Sequence, residues 1–345
     1  ATSAMEEKQI LDRLWEHYEL SHSDATALRI ELESVPKASR RIGELKRDIG
    51  ALGSINIGAI EELERQGFEV SAVAGTSMGA LVGGMYASGH LEPFKEWMCA
   101  LDRYKVFGLV DFTLSPEGLV KGDRVMRAMQ ELVPDVRIEQ MPVPFAAVAA
   151  DLVTGREVVL DRGGLYDAIR ASISIPSVFR PVHRDGMVLV DGGMVNPVPY
   201  DRVRRSEGDL LVAVDVCAPF GGDPAFRARM SLNHYKVLVT SSQIMQQRIA
   251  SLQRRLCPPD ILVEMPADRF SMFEFYRSAE IVEAGREAMA WNLLRHKEVA
   301  AARFFEEFKK RKSSDATSHR FLRPPQRISD PGRFRTLPRF FREQR

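Results

Sequence analysis

Short apolar runs bounded by glycine alternate with segments of helical periodicity through the middle of the chain. We predict buried strands at residues 49–52, 70–74, 145–149 and 210–216. We predict helices at residues 57–66, 80–88, 123–132 and 165–172. This alternation predicts an α/β fold of three α/β/α layers, with a mainly parallel central sheet covered by helices on both faces.

Both ends of the chain depart from this alternation. Residues 1–45 carry apolar side chains at helical spacing, which predicts an N-terminal helical extension that could mediate a homodimer. Long helices are predicted at residues 233–256 and 281–308, after which Ser, Pro and Arg dominate. We therefore expect the extension, a main domain at residues 46–308, and an extended arm at residues 309–345.

The net charge of +1 conceals an uneven distribution of charge. The arm holds twelve Lys and Arg residues against three acidic ones, a net +9, which leaves −8 for the rest of the chain. Phenylalanines interleave with these basic residues, a composition that suits peripheral contact with an anionic membrane or docking against a partner or the chain itself. We do not expect nucleic acid as a partner, because the body is acidic and has no reading motif.

The remaining composition narrows the class of protein further. No run of 18 or more apolar residues occurs, and the opening residues carry no secretory signal. The cysteines are Cys99, Cys217 and Cys257, without a CxxC pair, so we expect reduced thiols instead of disulfides or a zinc site. These features predict a cytoplasmic or peripheral-membrane protein without metal or cofactor.

The pentapeptide Gly75-Thr76-Ser77-Met78-Gly79 is a G-x-S-x-G motif between an apolar run and a helix of small residues. This strand–turn–helix context is that of a nucleophile elbow, so Ser77 is the candidate nucleophile. The flanking glycines would let strand and helix approach closely, and the helix N-terminus would offer N–H groups to a developing oxyanion. A glycine-rich turn that serves packing alone is the alternative interpretation.

The second candidate motif is Asp191-Gly192-Gly193, which follows the apolar run at residues 187–190. The strand would deliver Asp191 to the sheet edge, and the two glycines would allow a sharp turn and a close approach of another segment. Such a tripeptide is usually only a turn. Its pairing with Ser77 makes Asp191 the candidate general base.

A Ser–His–Asp triad is the rival chemistry. In the α/β-hydrolase order the histidine follows the aspartate, but His183 precedes Asp191. His234 and His296 do follow it, and both lie within predicted helices. We therefore expect no triad.

Several motifs occur together in one order. They are Gly75-Thr76-Ser77-Met78-Gly79-Ala80, Asp151-Leu152-Val153-Thr154-Gly155, Ile173-Ser174-Ile175-Pro176, Val190-Asp191-Gly192-Gly193 and Asn196-Pro197-Val198-Pro199. Over residues 49–216 this series resembles the bacterial patatin-like phospholipases. The resemblance implies a patatin-like fold and a dyad in which Ser77 attacks an acyl carbonyl and Asp191 accepts and returns the proton. It implies metal-independent hydrolysis of phospholipids or lysophospholipids through an acyl-enzyme.

The oxyanion loop departs from the family pattern. In the family, the first strand leads into a glycine-rich loop with an Arg, whose N–H groups stabilise the oxyanion. Here Gly53 and Ser54 lead directly to Ile55, which resembles the end of that loop. We expect oxyanion donors at Gly53, Ser54 and Met78.

Two explanations of the short loop stay open. Either residues of a longer natural loop are missing from the sequence, which the strain of so short a connection favours, or the loop is truly short and activity is impaired. The second explanation corresponds to a non-catalytic regulatory or membrane-scaffolding module on the same fold. Acyl transfer to an acceptor other than water is a third alternative, because it uses the same elbow chemistry.

Overall fold

The computed structural model describes residues 51–101, 122–176, 178–219, 234–266 and 277–318. The predicted N-terminal extension and most of the basic arm lie outside these ranges. By its contacts the chain divides into one compact unit up to His296 and a second from Lys297. The predicted boundaries at residues 45 and 308 stay predictions.

The described elements include seven helices and seven strands. The helices are α1 (Ala51–Arg65), α2 (Met78–Ala87), α3 (Leu91–Cys99), α4 (Asp123–Leu132), α5 (Leu165–Ser172), α6 (His234–Leu256) and α7 (Ser278–Ser318). The strands are β1 (Val73–Thr76), β2 (Phe145–Asp151), β3 (Glu157–Leu160), β4 (Val182–Arg184), β5 (Met187–Asp191), β6 (Val212–Ala218) and β7 (Ile261–Pro266). Short 3-10 turns occur at Ile138–Gln140 and Gly192–Met194.

In the described part of the chain the central sheet has five strands in the order β1-β2-β5-β4, with β3 also paired to β2. β1 and β2 are parallel, whereas the β2–β3, β2–β5 and β4–β5 pairs are antiparallel. A separate parallel pair is formed by β6 and β7. The α/β fold class is confirmed, but the prediction of a mainly parallel sheet is wrong. Short turns join β2 to β3 and β4 to β5, and such turns permit only antiparallel pairing.

The sequence prediction fails at the start of the described chain. Ala51 and Leu52 belong to α1 instead of a strand, and α1 includes Gly53 and Ser54, which were expected in a loop. Ile55, Ala59 and Leu63 repeat every four residues on the buried side of α1. Gly53 and Ser54, which stand in place of the loop, are also buried in this helix, with Gly53 against Met78 and Val82.

The second discrepancy concerns the C-terminal arm. Helix α7 continues to Ser318, so residues 309–318 are helical and not extended. This segment begins with four consecutive Lys and Arg residues, which favour helix. The other predicted helices and strands in the described ranges are found within a few residues of their expected bounds.

Two glycines allow α1 and the first part of α7 to pack backbone against backbone. A methyl group added at Gly58 would lie 1.9 Å from the carbonyl oxygen of Val282. One added at Gly285 would lie 2.3 Å from that of Ile55. Only glycine permits this approach, which brings the buried side chains of α1 against Ile281 and Met289.

Two expectations from composition can be compared with this fold. Among the described helices none has the length and apolar content needed to cross a bilayer. Cys99, Cys217 and Cys257 all lie in the described ranges as free cysteines.

Candidate functional site

Ser77 lies at the turn between β1 and α2 in a strained backbone conformation. Its φ of 54° and ψ of −120° place it in a region that residues with a side chain rarely adopt. Its carbonyl accepts the N–H groups of Ala80 and Leu81, which starts α2. The turn leaves the Ser77 side chain half-buried at the end of the sheet.

The two motif glycines beside Ser77 differ in their surroundings. A methyl group at Gly75 would lie 2.3 Å from the backbone carbonyl of Gly79, so strand and helix meet there without room for a side chain. A methyl group at Gly79 would meet nothing within 4 Å. The expected steric role therefore belongs to Gly75, whereas the space beside Gly79 is open.

Asp191 reaches Ser77 because the ends of two strands meet on one edge of β2. Residues Ala147 and Val148 of β2 pair with β1 and with β3, and residues Ala149 and Ala150 pair with β3 and with β5. Since a strand has two edges, β1 and β5 share the edge opposite β3 and approach each other from opposite directions. Thr76 pairs with Val148 and Asp191 with Ala149, so Ser77 and Asp191 stand at the junction.

The carboxylate of Asp191 is buried, and only one of its two oxygens accepts a hydrogen bond from the described residues. The N–H of Gly193 donates to Oδ1 at 2.7 Å. Within the described residues, Oδ2 has no partner of hydrogen-bond geometry. Burial raises the pKa of Asp191 to about 6, against the opposing effect of the Ser77 hydroxyl and the Gly193 N–H. The Ser77 hydroxyl is thus near enough to the Asp191 carboxylate to oppose the rise in its pKa.

Gly192 is a second position where only glycine fits. A methyl group there would lie 2.3 Å from the carbonyl oxygen of Val148, whereas one at Gly193 would lie 3.0 Å from Oδ1 of Asp191. The chain therefore turns directly over β2 after Asp191, as the two glycines predicted.

Residues at and just after the end of α5 accept hydrogen bonds from the backbone of both candidate residues. The buried Ser172 hydroxyl accepts the N–H of Ser77 at 2.9 Å and donates to the carbonyl of Val148 at 2.6 Å. Two residues later the carbonyl of Ser174 accepts the N–H of Asp191 at 2.9 Å. Sequence reasoning missed Ser172, whose only signal was its position next to the Ile173-Ser174-Ile175-Pro176 motif.

A chain of hydrogen bonds anchors the end of β1 to the segment after Asp191. Thr76 donates its hydroxyl to the carbonyl of Asn196 at 2.7 Å, and the Asn196 side-chain amide donates to Glu157 at 3.0 Å. Arg202 forms a bidentate pair with Glu157 at 2.8 and 2.7 Å. These contacts keep the pKa of Glu157 below its ordinary value, chiefly through the bond from Arg202.

The motif at Asp151 has a structural role in this arrangement. Asp151 accepts the Thr154 hydroxyl at 2.7 Å and the N–H groups of Val153 and Val188 at 3.2 and 3.1 Å. Its pKa is lowered, first by the Thr154 hydroxyl. Asp151 thus closes the turn after β2 and fastens β5 beside it.

The expected oxyanion donors are only partly placed at the site. Gly53 and Ser54 lie within α1, so the prediction of a loop at these residues is wrong. Gly53 faces the Met78 side chain, and the Ser54 hydroxyl is buried without a hydrogen-bond partner in the described chain. Met78 and Gly79 begin α2, where backbone N–H groups have no intrahelical acceptor, so these two can face an oxyanion.

His90 and His296 make contacts outside the candidate pair, whereas His183 points to solvent. His90 lies 3.2 Å from the Ser88 hydroxyl, His296 lies 3.2 Å from the carbonyl of Asp260, and His183 is exposed on β4. Clusters of His, Cys, Asp or Glu that could hold a metal are absent from the described ranges.

Comparisons with known proteins give the family that this part of the chain resembles. The patatin-like phospholipase family model matches residues 50–204. An uncharacterized NTE family protein of Mycobacterium tuberculosis (strain ATCC 25618 / H37Rv) is 38% identical over 190 residues, which cover 55% of this chain and 52% of that protein. Mouse patatin-like phospholipase domain-containing protein 6 is 29% identical over 174 residues, which cover 48% of this chain and 13% of that protein.

The chain thus spans about half the length of this Mycobacterium tuberculosis relative. The crystal structure of VipD from Legionella pneumophila is a weaker match, with a TM-score of 0.39, 13% identity, and coverage of 72% of this chain and 66% of that chain. The family match contains the elbow at Ser77, the strand ending at Asp191 and the helix ending at Ser172. Residues 50–204 are therefore a domain of the patatin-like phospholipase family.

Proposed function

We propose that this protein is a serine-dependent lipid acyl hydrolase with Ser77 as nucleophile and Asp191 as general base. The observation that carries the proposal is the junction of β1 and β5, where a strained serine stands beside a buried carboxylate, one oxygen of which has no hydrogen-bond partner among the described residues. A carboxylate of raised pKa is a stronger base than an ordinary aspartate. It suits a two-residue mechanism at neutral pH.

The reaction proceeds in two balanced steps. Ser77 Oγ bonds to the ester carbonyl carbon while its proton passes to Oδ2 of Asp191, and the N–H groups of Met78 and Gly79 face the oxyanion. The carbon–oxygen ester bond then breaks, and the leaving alkoxide takes the proton from Asp191. Water next attacks the acyl-enzyme and gives a proton to Asp191, which returns it to Ser77 as the fatty acid leaves.

The substrates we propose are phospholipids or lysophospholipids, on the support of the family match. Incubation of the full chain with phosphatidylcholine and with lysophosphatidylcholine should release fatty acid from at least one of them. Added acceptor alcohol separates hydrolysis from acyl transfer, because transfer would produce a new ester in place of free acid. Absence of any acyl product from either lipid would contradict the substrate class but not the activated serine.

A fluorophosphonate probe tests the serine itself. We expect one adduct by intact mass on the full chain, its loss in Ser77→Ala, and a strongly slowed reaction in Asp191→Asn. Matched controls are Ser88→Ala at the other end of α2 and Asp215→Asn, a second buried carboxylate of raised pKa. An adduct that persists in Ser77→Ala would refute the assignment of the nucleophile.

One observation favours a second candidate function, a non-catalytic regulatory or scaffolding module. Gly53 and Ser54 are helical, so they do not form the loop expected to supply oxyanion donors, and only the first turn of α2 would be left to supply them. Loss of one such donor costs about 3 kcal/mol of transition-state stabilisation. A folded chain that gives no probe adduct would support this second candidate.

A further inference from the structure

Helix α6 carries an exposed apolar stripe on its surface. Leu238, Met245, Leu252 and Leu256 are 59, 60, 57 and 87% exposed. They follow one another at intervals of seven, seven and four residues, which places them within about 40° of one another around the helix. We call these four residues the α6 stripe. A row of large apolar side chains in water is unfavourable unless something covers it.

The stripe lies directly beside the candidate site. Gln246 follows Met245 and lies against Gly193, and Gln253 follows Leu252 and donates its side-chain amide to the carbonyl of Val195 at 3.4 Å. In the turn between these contacts, Met194 is itself exposed. Whatever covers the stripe therefore also borders the turn that follows Asp191.

The charge of α6 indicates what covers it. The 23-residue helix has no Asp or Glu, but it has Lys236, Arg248, Arg254 and Arg255, although the chain outside the arm is acidic overall. Arg248 and Arg255 are seven residues apart on the flank opposite Gln246 and Gln253, and both are at least partly exposed. An apolar stripe flanked by arginines on a helix without acidic residues complements an anionic lipid surface.

A second copy of the chain fits this surface less well. Two α6 helices packed through their stripes would bring arginines together without any carboxylate on either helix to pair with them. We therefore propose that the α6 stripe docks on an anionic phospholipid membrane and holds the turn after Asp191 against it. This inference rests on the proposed function, for which it specifies that the substrate is presented in a lipid surface.

Vesicle flotation of the 345-residue chain with Ser77→Ala tests docking without any need for catalysis. We expect binding to phosphatidylcholine vesicles that contain phosphatidylglycerol, weaker binding to pure phosphatidylcholine, and a decrease with added salt. Failure of the proposed function alone would leave this binding intact while the fluorophosphonate adduct and fatty acid release were absent from the parent protein.

Paired variants assign the binding to the stripe. In the same background, Met245→Glu with Leu252→Glu should weaken vesicle partitioning at least about tenfold. Trp291→Glu with Leu294→Glu on α7 is the matched control, because these side chains are 62 and 51% exposed. Arg248→Gln with Arg255→Gln should weaken binding to the anionic vesicles on the order of 30-fold and binding to neutral ones little.

Thermal unfolding and circular dichroism check that each variant folds. If the glutamate pair does not fold, Met245→Ser with Leu252→Ser replaces it as the stripe variant. The proposal is overturned if stripe variants bind vesicles like their parent, as they would if the basic arm alone made the contact. It is also overturned if the α7 control loses binding equally. A concentration-dependent dimer that the stripe variants abolish, without vesicle binding by the parent, would identify a second copy as the occupant instead.

Discussion

The Ser172 hydroxyl accepts a hydrogen bond from the backbone N–H of Ser77 at 2.9 Å and donates its own proton to the carbonyl of Val148. A side chain on α5 thus fastens the strained turn to the central strand of the sheet. Because Ser77 has an unfavourable φ, its conformation depends on contacts that compensate the strain. Ser172 is therefore a positioning residue for the candidate nucleophile.

Removal of this hydroxyl should loosen the turn. In Ser172→Ala we expect kcat for a soluble ester to fall at least about tenfold with KM changed little, since the N–H of Ser77 and the buried carbonyl of Val148 lose their partner. The free energy of unfolding should fall by about 1–3 kcal/mol. Ester kinetics and chemical denaturation measure the two effects.

Ser172→Cys keeps a weak donor and acceptor at the same site and should recover part of kcat. A merely structural role for Ser172 would be indicated if stability fell as expected while kcat and the rate of fluorophosphonate labelling stayed at the parent values.

The two motif glycines should respond differently to the same change. Gly75→Ala should prevent formation of the turn, with a loss of more than about 3 kcal/mol of stability, because the methyl group would overlap the backbone of Gly79. Gly79→Ala should fold with nearly unchanged stability, since its methyl group meets open space. Thermal unfolding of the two variants side by side measures the contrast, and equal losses would contradict it.

The raised pKa of Asp191 predicts how activity depends on pH. The base must be ionised, so kcat/KM should rise with pH through an apparent pKa of about 6 and level off above it. The pH–rate profile of a soluble ester measures this limb. An activity that stayed constant between pH 4 and 8, well below and above this pKa, would show that Asp191 is not the base.

The same shift predicts a cost in stability. Between the ordinary value of 3.8 and about 6, the folded state holds a proton that the unfolded state releases, so stability falls as pH rises through this window. Asp191→Asn removes this cost and should raise the free energy of unfolding at pH 7 by up to about 3 kcal/mol while it abolishes activity. Denaturation at pH 7 and below pH 4 measures the gain, which should disappear in acid.

The close crossing of α1 and α7 should also tolerate no side chain. Gly58→Ala and Gly285→Ala should each lower the free energy of unfolding by more than about 2 kcal/mol, because each methyl group would overlap a backbone carbonyl of the other helix. Glu287→Ala, on the exposed side of α7, should change it by less than about 0.5 kcal/mol. Urea denaturation measures all three, and a stable Gly58→Ala protein would contradict the crossing.

The sequence by itself determined the local elements that carry the candidate chemistry. The apolar run before Ser77, the small-residue helix after it and the strand before Asp191 each follow from the order of residues within about ten positions. The close backbone approaches at Gly75 and Gly192 could be predicted from the sequence in the same way. A glycine beside a predicted strand end indicates that another backbone approaches there.

Only the tertiary structure decided how these elements meet. The edge of β2 that β1 and β5 share, the hydroxyl of Ser172 beneath Ser77 and the exposed stripe on α6 all depend on partners distant in the chain. The sequence pattern shows that a strand is buried, but not which neighbour it pairs with or in which direction. Gly53 and Ser54 failed as loop predictions for a related reason, because they lie within α1, and Gly53 packs against Met78 and Val82 of α2, a contact that the local sequence does not show.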